Sequence, residues 1–253
     1  MGKVKVLVLR APGTNCDMET IFAFEQVGAV VSRLHINRFV RGHERLADYQ
    51  VLVVPGGFTY GDDIAAGRVL ANELRLGLGD DIQRFVTDGK LILGICNGFQ
   101  VLVKAGILSV DGGKIPLTLT GNDSGRFECR WVYLTANPES PCIFTRGIDR
   151  MYLPVAHAEG KVVAADDVPG KNVVLRYTNE QGNPGAGYPF NPNGSQADIA
   201  SMCDDTGRVF ALMPHPERFI RGTQHPRWTR HKVGEQGDGL RVFQNAVAWA
   251  ESL

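Results

Sequence analysis

The chain has 253 residues, 43% of them hydrophobic, with 27 Lys and Arg balanced by 27 Asp and Glu. That content suits one α/β domain over 1–253 and excludes wholesale disorder, and a net charge of zero gives no electrostatic argument for nucleic acid or an anionic membrane. No apolar run approaches the roughly 20 residues that span a bilayer, and the apolar part of MGKVKVLVLRAPG is too short for a signal peptide, so a soluble, cytoplasmic protein is expected.

VKVLVL (4–9) is a short β-branched run stopped by Pro12-Gly13 and reads as a buried parallel strand. Asp17 is placed to cap a helix through Ile21, Phe22 and Phe24 to Val27, with Gly28 as the stop. AVVSRLHI (29–36) predicts a second strand, and VLVVPGG (51–57) a third that ends abruptly in Pro-Gly-Gly. A helical stretch follows to about Thr87. KLILGI (90–95) predicts a fourth strand, then a short helix from Gly98 to Ala105. This alternation predicts a doubly wound, mostly parallel sheet flanked by helices.

The second half reads differently. Residues 126–135, 151–156, 172–177 and 208–213 have strand character with only loops between them, which adds antiparallel strands. GLRVFQNAVAWAESL (239–253) restores a helix, with Leu240, Phe243, Val247 and Ala250 on one face. QGNPGAGYPFNPNGSQ (181–196) is either a domain linker or a long ordered loop. Apolar strands on both sides favour the loop.

The five cysteines (16, 96, 129, 142, 203) form no CxxC pair and no zinc-spaced cluster with histidine, so free thiols and no metal are expected. Cys96 is the one with chemical context. It lies in GICNG (94–98), at the carboxyl end of an apolar strand, where open parallel sheets place ligands. Gly-x-Cys-x-Gly is the thiol form of a nucleophile elbow. The helix N-terminus that follows favours thiolate, and the N–H of Asn97 is aimed at the oxygen of any carbonyl that Cys96 attacks. A buried structural thiol fits the same residues. Cys16 has no strand–elbow pattern around it and reads as structural, as do Cys129, Cys142 and Cys203.

A nucleophilic cysteine needs a base and an orienter. His215, in MPHPER (213–218), follows a strand. Flanking Pro214 and Pro216 predict an extended segment in which His215 and Glu217 share a face. A polar surface turn is the alternative, and His157, with Glu159 two residues on, is a second candidate base.

PGG (55–57), GICNGFQ (94–100) and HPE (215–217) together resemble the class I, or triad, glutamine amidotransferases. PGTNCDMET (12–20), GGFTYGDD (56–63), GNDSGRFECRWV (121–132), HAEGK (157–161) and NPNGS (191–195) are similar to the glutaminase-subunit family of phosphoribosylformylglycinamidine synthases, with Ala158 and Ser201 where that family has glycine. The resemblance implies a flavodoxin-like fold, Cys96 as nucleophile, His215 as general base and acid, and Glu217 as its orienter. The backbone N–H groups of Gly57 and Asn97 would form the oxyanion hole, and Gly56 and Gln100 would border bound glutamine. It further implies a PurL-like synthetase subunit that uses ATP and Mg, and a PurS-like small subunit. No cofactor is implied in this chain, and it has no P-loop pattern of its own. Other readings of a strand-end cysteine on this fold are a hydrolase of the DJ-1/PfpI type, which does not use the HPE segment, and a non-catalytic binding module.

Overall fold

Fully buried apolar runs set the centre of the molecule. In the computed structural model, which describes residues 2–231 and 234–253, β1 (Lys5–Arg10), β2 (Val30–His35), β3 (Val51–Val54) and β4 (Leu91–Ile95) form parallel pairs in the order β2-β1-β3-β4. Every residue of β3 and β4 is buried, as strands covered on both faces require. Helices α1 (Asp17–Gln26), α2 (Ile36–Val40), α3 (Arg68–Thr87) and α4 (Asn97–Lys104) fill the connections.

Asp17 does not cap α1. It is the first residue of the helix, Cys16 occupies the capping position without a side-chain bond, and the Asp17 carboxylate instead faces Arg33 at 3.4 Å. Gly28 follows the helix end at φ +87°, a conformation open to glycine.

The second half adds β5 (Leu117–Thr120), β6 (Glu128–Ala136), β7 (Arg150–His157), β8 (Lys161–Ala164), β9 (Val173–Thr178), β10 (Ile199–Cys203) and β11 (Val209–Leu212), then α5 (Leu240–Ala250). β5, β8 and β10 are not among the strands that the sequence pattern predicts. β5 (LTLT) and β8 (KVVA) are only partly buried, and β10 (IASMC) carries Ala, Ser and Cys, so none shows the unbroken large apolar run of β3 (VLVV).

β11 returns to the parallel half of the sheet and pairs with β4, with Leu212 opposite Ile95. β10, β9, β6 and β7 then extend the sheet antiparallel, giving nine strands in the order β2-β1-β3-β4-β11-β10-β9-β6-β7, while β5 and β8 pair separately. The carboxyl ends of β3, β4 and β11 therefore emerge side by side. In the 181–196 loop, residues 181–190 are mostly exposed, while Asn191, Asn193 and Ser195 are buried and anchor its far end. Among the described residues, no helix is long and apolar enough to cross a membrane.

Candidate active site

Cys96 joins β4 to α4 at φ +52° and ψ −106°, a conformation that a non-glycine residue holds only under constraint. Its neighbours supply that constraint. A Cβ on Gly98 would run into the carbonyl oxygen of Val54, and one on Gly94 would stand 2.6 Å from Leu102 Cδ1. The two glycines let α4 press onto β3 and β4, and the chain turns sharply with the thiol at the tip. The Cys96 sulfur lies 3.6 Å from the carbonyl oxygen of Ala156, on β7.

His215 lies three residues beyond Leu212, the last residue of β11, and is fixed by its N–H, which donates to Pro154 O at 2.8 Å. Its Nδ1 bonds Glu217 Oε1 at 2.6 Å. The expected extended segment through Glu217 is not what forms: His215 is extended, but Pro216–Arg218 make a turn of 3-10 helix. Proline at the first helical position suits that start, because its missing N–H has no partner to lose there. The turn carries Glu217 back to the ring.

His215 and Glu217 are 2% and 1% exposed. Burial by itself lowers the His215 pKa, but the charges of Glu217 and of a Cys96 thiolate outweigh it and hold the imidazole well above its ordinary range. With Nδ1 committed to Glu217, Nε2 is left with no bonded partner and is the nitrogen free for proton transfer.

Gly57 and Asn97 each lie three residues past a paired position, Val54 opposite Gly94. Gly57 has φ +147°, and a Cβ there would stand 2.5 Å from Gly13 O and 2.8 Å from Asn15 N. Only glycine lets the 12–16 segment close over this strand end. Gly56 O accepts from the N–H groups of both Asn15 and Cys16 at 3.2 Å. As the first residue of α4, Asn97 has an N–H without an intrahelical acceptor.

The side chain of Asn97 is a brace. Its Oδ1 accepts from Thr59 Oγ1 at 2.7 Å and from Thr59 N at 3.2 Å, while its Nδ2 donates to Gln100 Oε1 at 2.9 Å. Gln100 Nε2 in turn donates to the carbonyl oxygen of Glu159. Gln100 thus ties the elbow helix to the 157–161 loop.

His157 is buried and does not pair with Glu159. Its Nδ1 meets Asn122 Oδ1 at 3.1 Å, and Nε2 has no partner. Burial, then repulsion from His215, pushes its pKa down to about 4, so it is neutral. Cys16, read from the sequence as structural, lies beside this site, its sulfur 4.0 Å from His215 Nδ1. It ends the connection from β1, next to the end of β3, where its N–H donates to Gly56 O.

A buried thiol on a strained elbow and a buried histidine–carboxylate pair at the neighbouring strand end are the arrangement that a cysteine amidase of the glutamine amidotransferase class would need. The family model of the CobB/CobQ-like glutamine amidotransferase domain matches residues 3–250. The chain is 58% identical over 257 residues to phosphoribosylformylglycinamidine synthase subunit PurQ of Dehalococcoides mccartyi, with 100% of each covered. It is 43% identical to the subunit of the same name in Archaeoglobus fulgidus, covering 99% of this chain and 98% of the relative. A solved structure described as PurLQS from Thermotoga maritima contains a chain that matches with a TM-score of 0.76 at 35% identity, covering 98% of this chain and 99% of that one. The protein belongs to the PurQ family of phosphoribosylformylglycinamidine synthase subunits.

Proposed function

We propose that this chain is the glutaminase subunit of a phosphoribosylformylglycinamidine synthase, with Cys96, His215 and Glu217 as its catalytic triad. The observation that carries the reading is the registered emergence of β4 and β11, which sets the Cys96 elbow beside the buried His215–Glu217 pair.

The Cys96 thiolate attacks the side-chain amide carbon of glutamine. The oxyanion that develops takes hydrogen bonds from the N–H groups of Gly57 and Asn97, each worth about 2.7–4 kcal/mol in comparable holes. The His215 imidazolium, with Glu217 on Nδ1, gives the Nε2 proton to the departing nitrogen, and ammonia leaves. A γ-glutamyl thioester remains on Cys96. His215, now neutral, takes a proton from water as it attacks the thioester, and glutamate departs with the thiolate restored. Gly56 and Gln100 border the glutamine.

Ammonia released into water would be protonated and lost as a nucleophile. It passes instead to a PurL-like synthetase subunit, which converts formylglycinamide ribonucleotide to formylglycinamidine ribonucleotide with ATP and Mg, and a PurS-like small subunit completes the assembly. This chain carries no metal or cofactor of its own and works in the cytoplasm, away from membranes and nucleic acid.

The test is glutamate release from glutamine by the purified chain and by its Cys96→Ala variant, with and without the synthetase and small subunits, their substrate and ATP. Partner-stimulated release that disappears in Cys96→Ala is the expected result. Activity surviving that substitution overturns the assignment of the nucleophile, and no release in the full mixture overturns the function.

A further inference from the structure

Cys16 stands against the histidine–glutamate pair. Its sulfur lies 4.0 Å from His215 Nδ1, the nitrogen that also bonds Glu217. Arg218, the residue after Glu217, donates from Nη2 to the same sulfur at 3.0 Å, and the thiol donates to Asn15 Oδ1 at 3.0 Å. Gly56 makes room for this arrangement: a Cβ there would stand 3.0 Å from His215 Cε1 and 3.1 Å from the Cys16 sulfur. Cys16 is 1% exposed, so the contact is sheltered from water.

One ligand atom each from Cys16, His215 and Glu217 lies within 4.8 Å of the others, a spacing that would also suit a metal ion. The Arg218 guanidinium on the sulfur argues against that use, since it already places a positive charge where a second cation would be repelled.

We propose that Cys16, held by Arg218, is a positioning residue that fixes the His215 ring for proton transfer with Cys96. The proposal rests on the assignment of Cys96 and His215 as nucleophile and base. The groups facing the ring are Glu217 on its own segment, Cys96 from the elbow, Cys16 from the 12–16 segment and neutral His157 from β7. The Cys16 contact favours the protonated ring, as does the Glu217 charge. Because imidazolium and thiolate stabilise one another, loss of the sulfur also disfavours the Cys96 thiolate.

The experiment compares wild type with Cys16→Ala and Cys16→Ser in the assembled complex. It reads kcat and KM for glutamine, and the pH dependence of Cys96 alkylation by iodoacetamide, assigned to the Cys96 peptide by mass spectrometry. Cys16→Ala is expected to lower kcat by up to about 100-fold, the scale of a misplaced catalytic group, with KM within about 2-fold. The midpoint of Cys96 alkylation moves to higher pH. Cys16→Ser, which keeps a small acceptor, recovers most of both. An unmoved alkylation midpoint in both variants, whatever happens to kcat or thermal stability, overturns the proposal and leaves Cys16 a packing residue. The underlying triad assignment fails separately, through Cys96→Ala retaining glutaminase activity.

Discussion

The amide of Cys96 donates to the carbonyl of Leu212 at 2.7 Å, one bond beyond the last registered pair of β4 and β11. That bond holds the nucleophile elbow against the strand that carries the histidine. From Leu212 the chain needs only Met213 and Pro214 to reach His215, so a long intervening sequence is closed into a single site at two adjacent strand ends.

Glu217→Gln keeps the shape of the orienting side chain and removes its charge. The His215 imidazolium then loses its largest supporting charge, and either tautomer of the ring is accepted by an amide. Glutaminase kcat is expected to fall by about 10⁴-fold, as in triads whose carboxylate is neutralised, while assembly with the synthetase is unchanged. A loss smaller than about 10-fold would count against Glu217 as orienter.

Glycine at 98 and at 28 answers different demands. Gly98→Ala drives a methyl into the Val54 carbonyl inside the elbow, and is expected to destabilise the fold by about 3 kcal/mol and abolish activity. Gly28→Ala meets nothing within 4 Å and carries only the strain of φ +87°, about 1–2 kcal/mol, with activity retained. Denaturant melts and glutamate release on both variants check the contrast.

His157 is neutral in the fold, with its pKa pushed down to about 4 from the ordinary 6.5 by burial first and by His215 second. The unfolded chain takes up this proton near pH 6.5 and the folded chain only near pH 4. Stability from this group is therefore full above about pH 6.5 and is lost as the pH falls through that window, by about 3 kcal/mol in all. His215 acts in the opposite sense, since its raised pKa gives stability that is present below about pH 6.5 and lost as the pH rises. His157→Gln is expected to flatten the decline in thermal stability between about pH 6.5 and 4. A slope equal to wild type would show that His157 titrates normally.

Gln100→Ala breaks the tie between α4 and the 157–161 loop: the Glu159 carbonyl loses its donor, and Asn97 Nδ2 keeps only Asp62 Oδ1 at 3.3 Å. With Gln100 bordering the glutamine as proposed, KM for glutamine is expected to rise about 10-fold or more while kcat falls less. A change confined to kcat would place Gln100 in the chemistry instead.

Cys96 is only 6% exposed, so a reagent in solution meets little of it. Iodoacetamide labelling of Cys96 is expected to be slow in the isolated chain and faster in the complex with synthetase substrates bound. Equal rates would mean that partners do not open the site.

Much of this molecule is legible in the order of its amino acids. The buried runs at 4–9, 51–54 and 90–95, the glycines around Cys96 and the HPE segment are local signals, written in residues that touch neighbours close in sequence. Burial of both strand faces needs unbroken apolar runs, and a sharp elbow needs missing Cβ atoms, so each leaves its mark where it acts. Other features depend on partners far away in the chain. Which strand β11 pairs with, the tight 3-10 return of Glu217, and the seating of Cys16 between Arg218 and His215 follow from packing across the sheet. The sequence alone determined the chemical groups and the strand ends that carry them. Tertiary structure decided which ends meet, because parallel pairing and close packing select among strands by fit over the whole sheet, and no single segment contains that information.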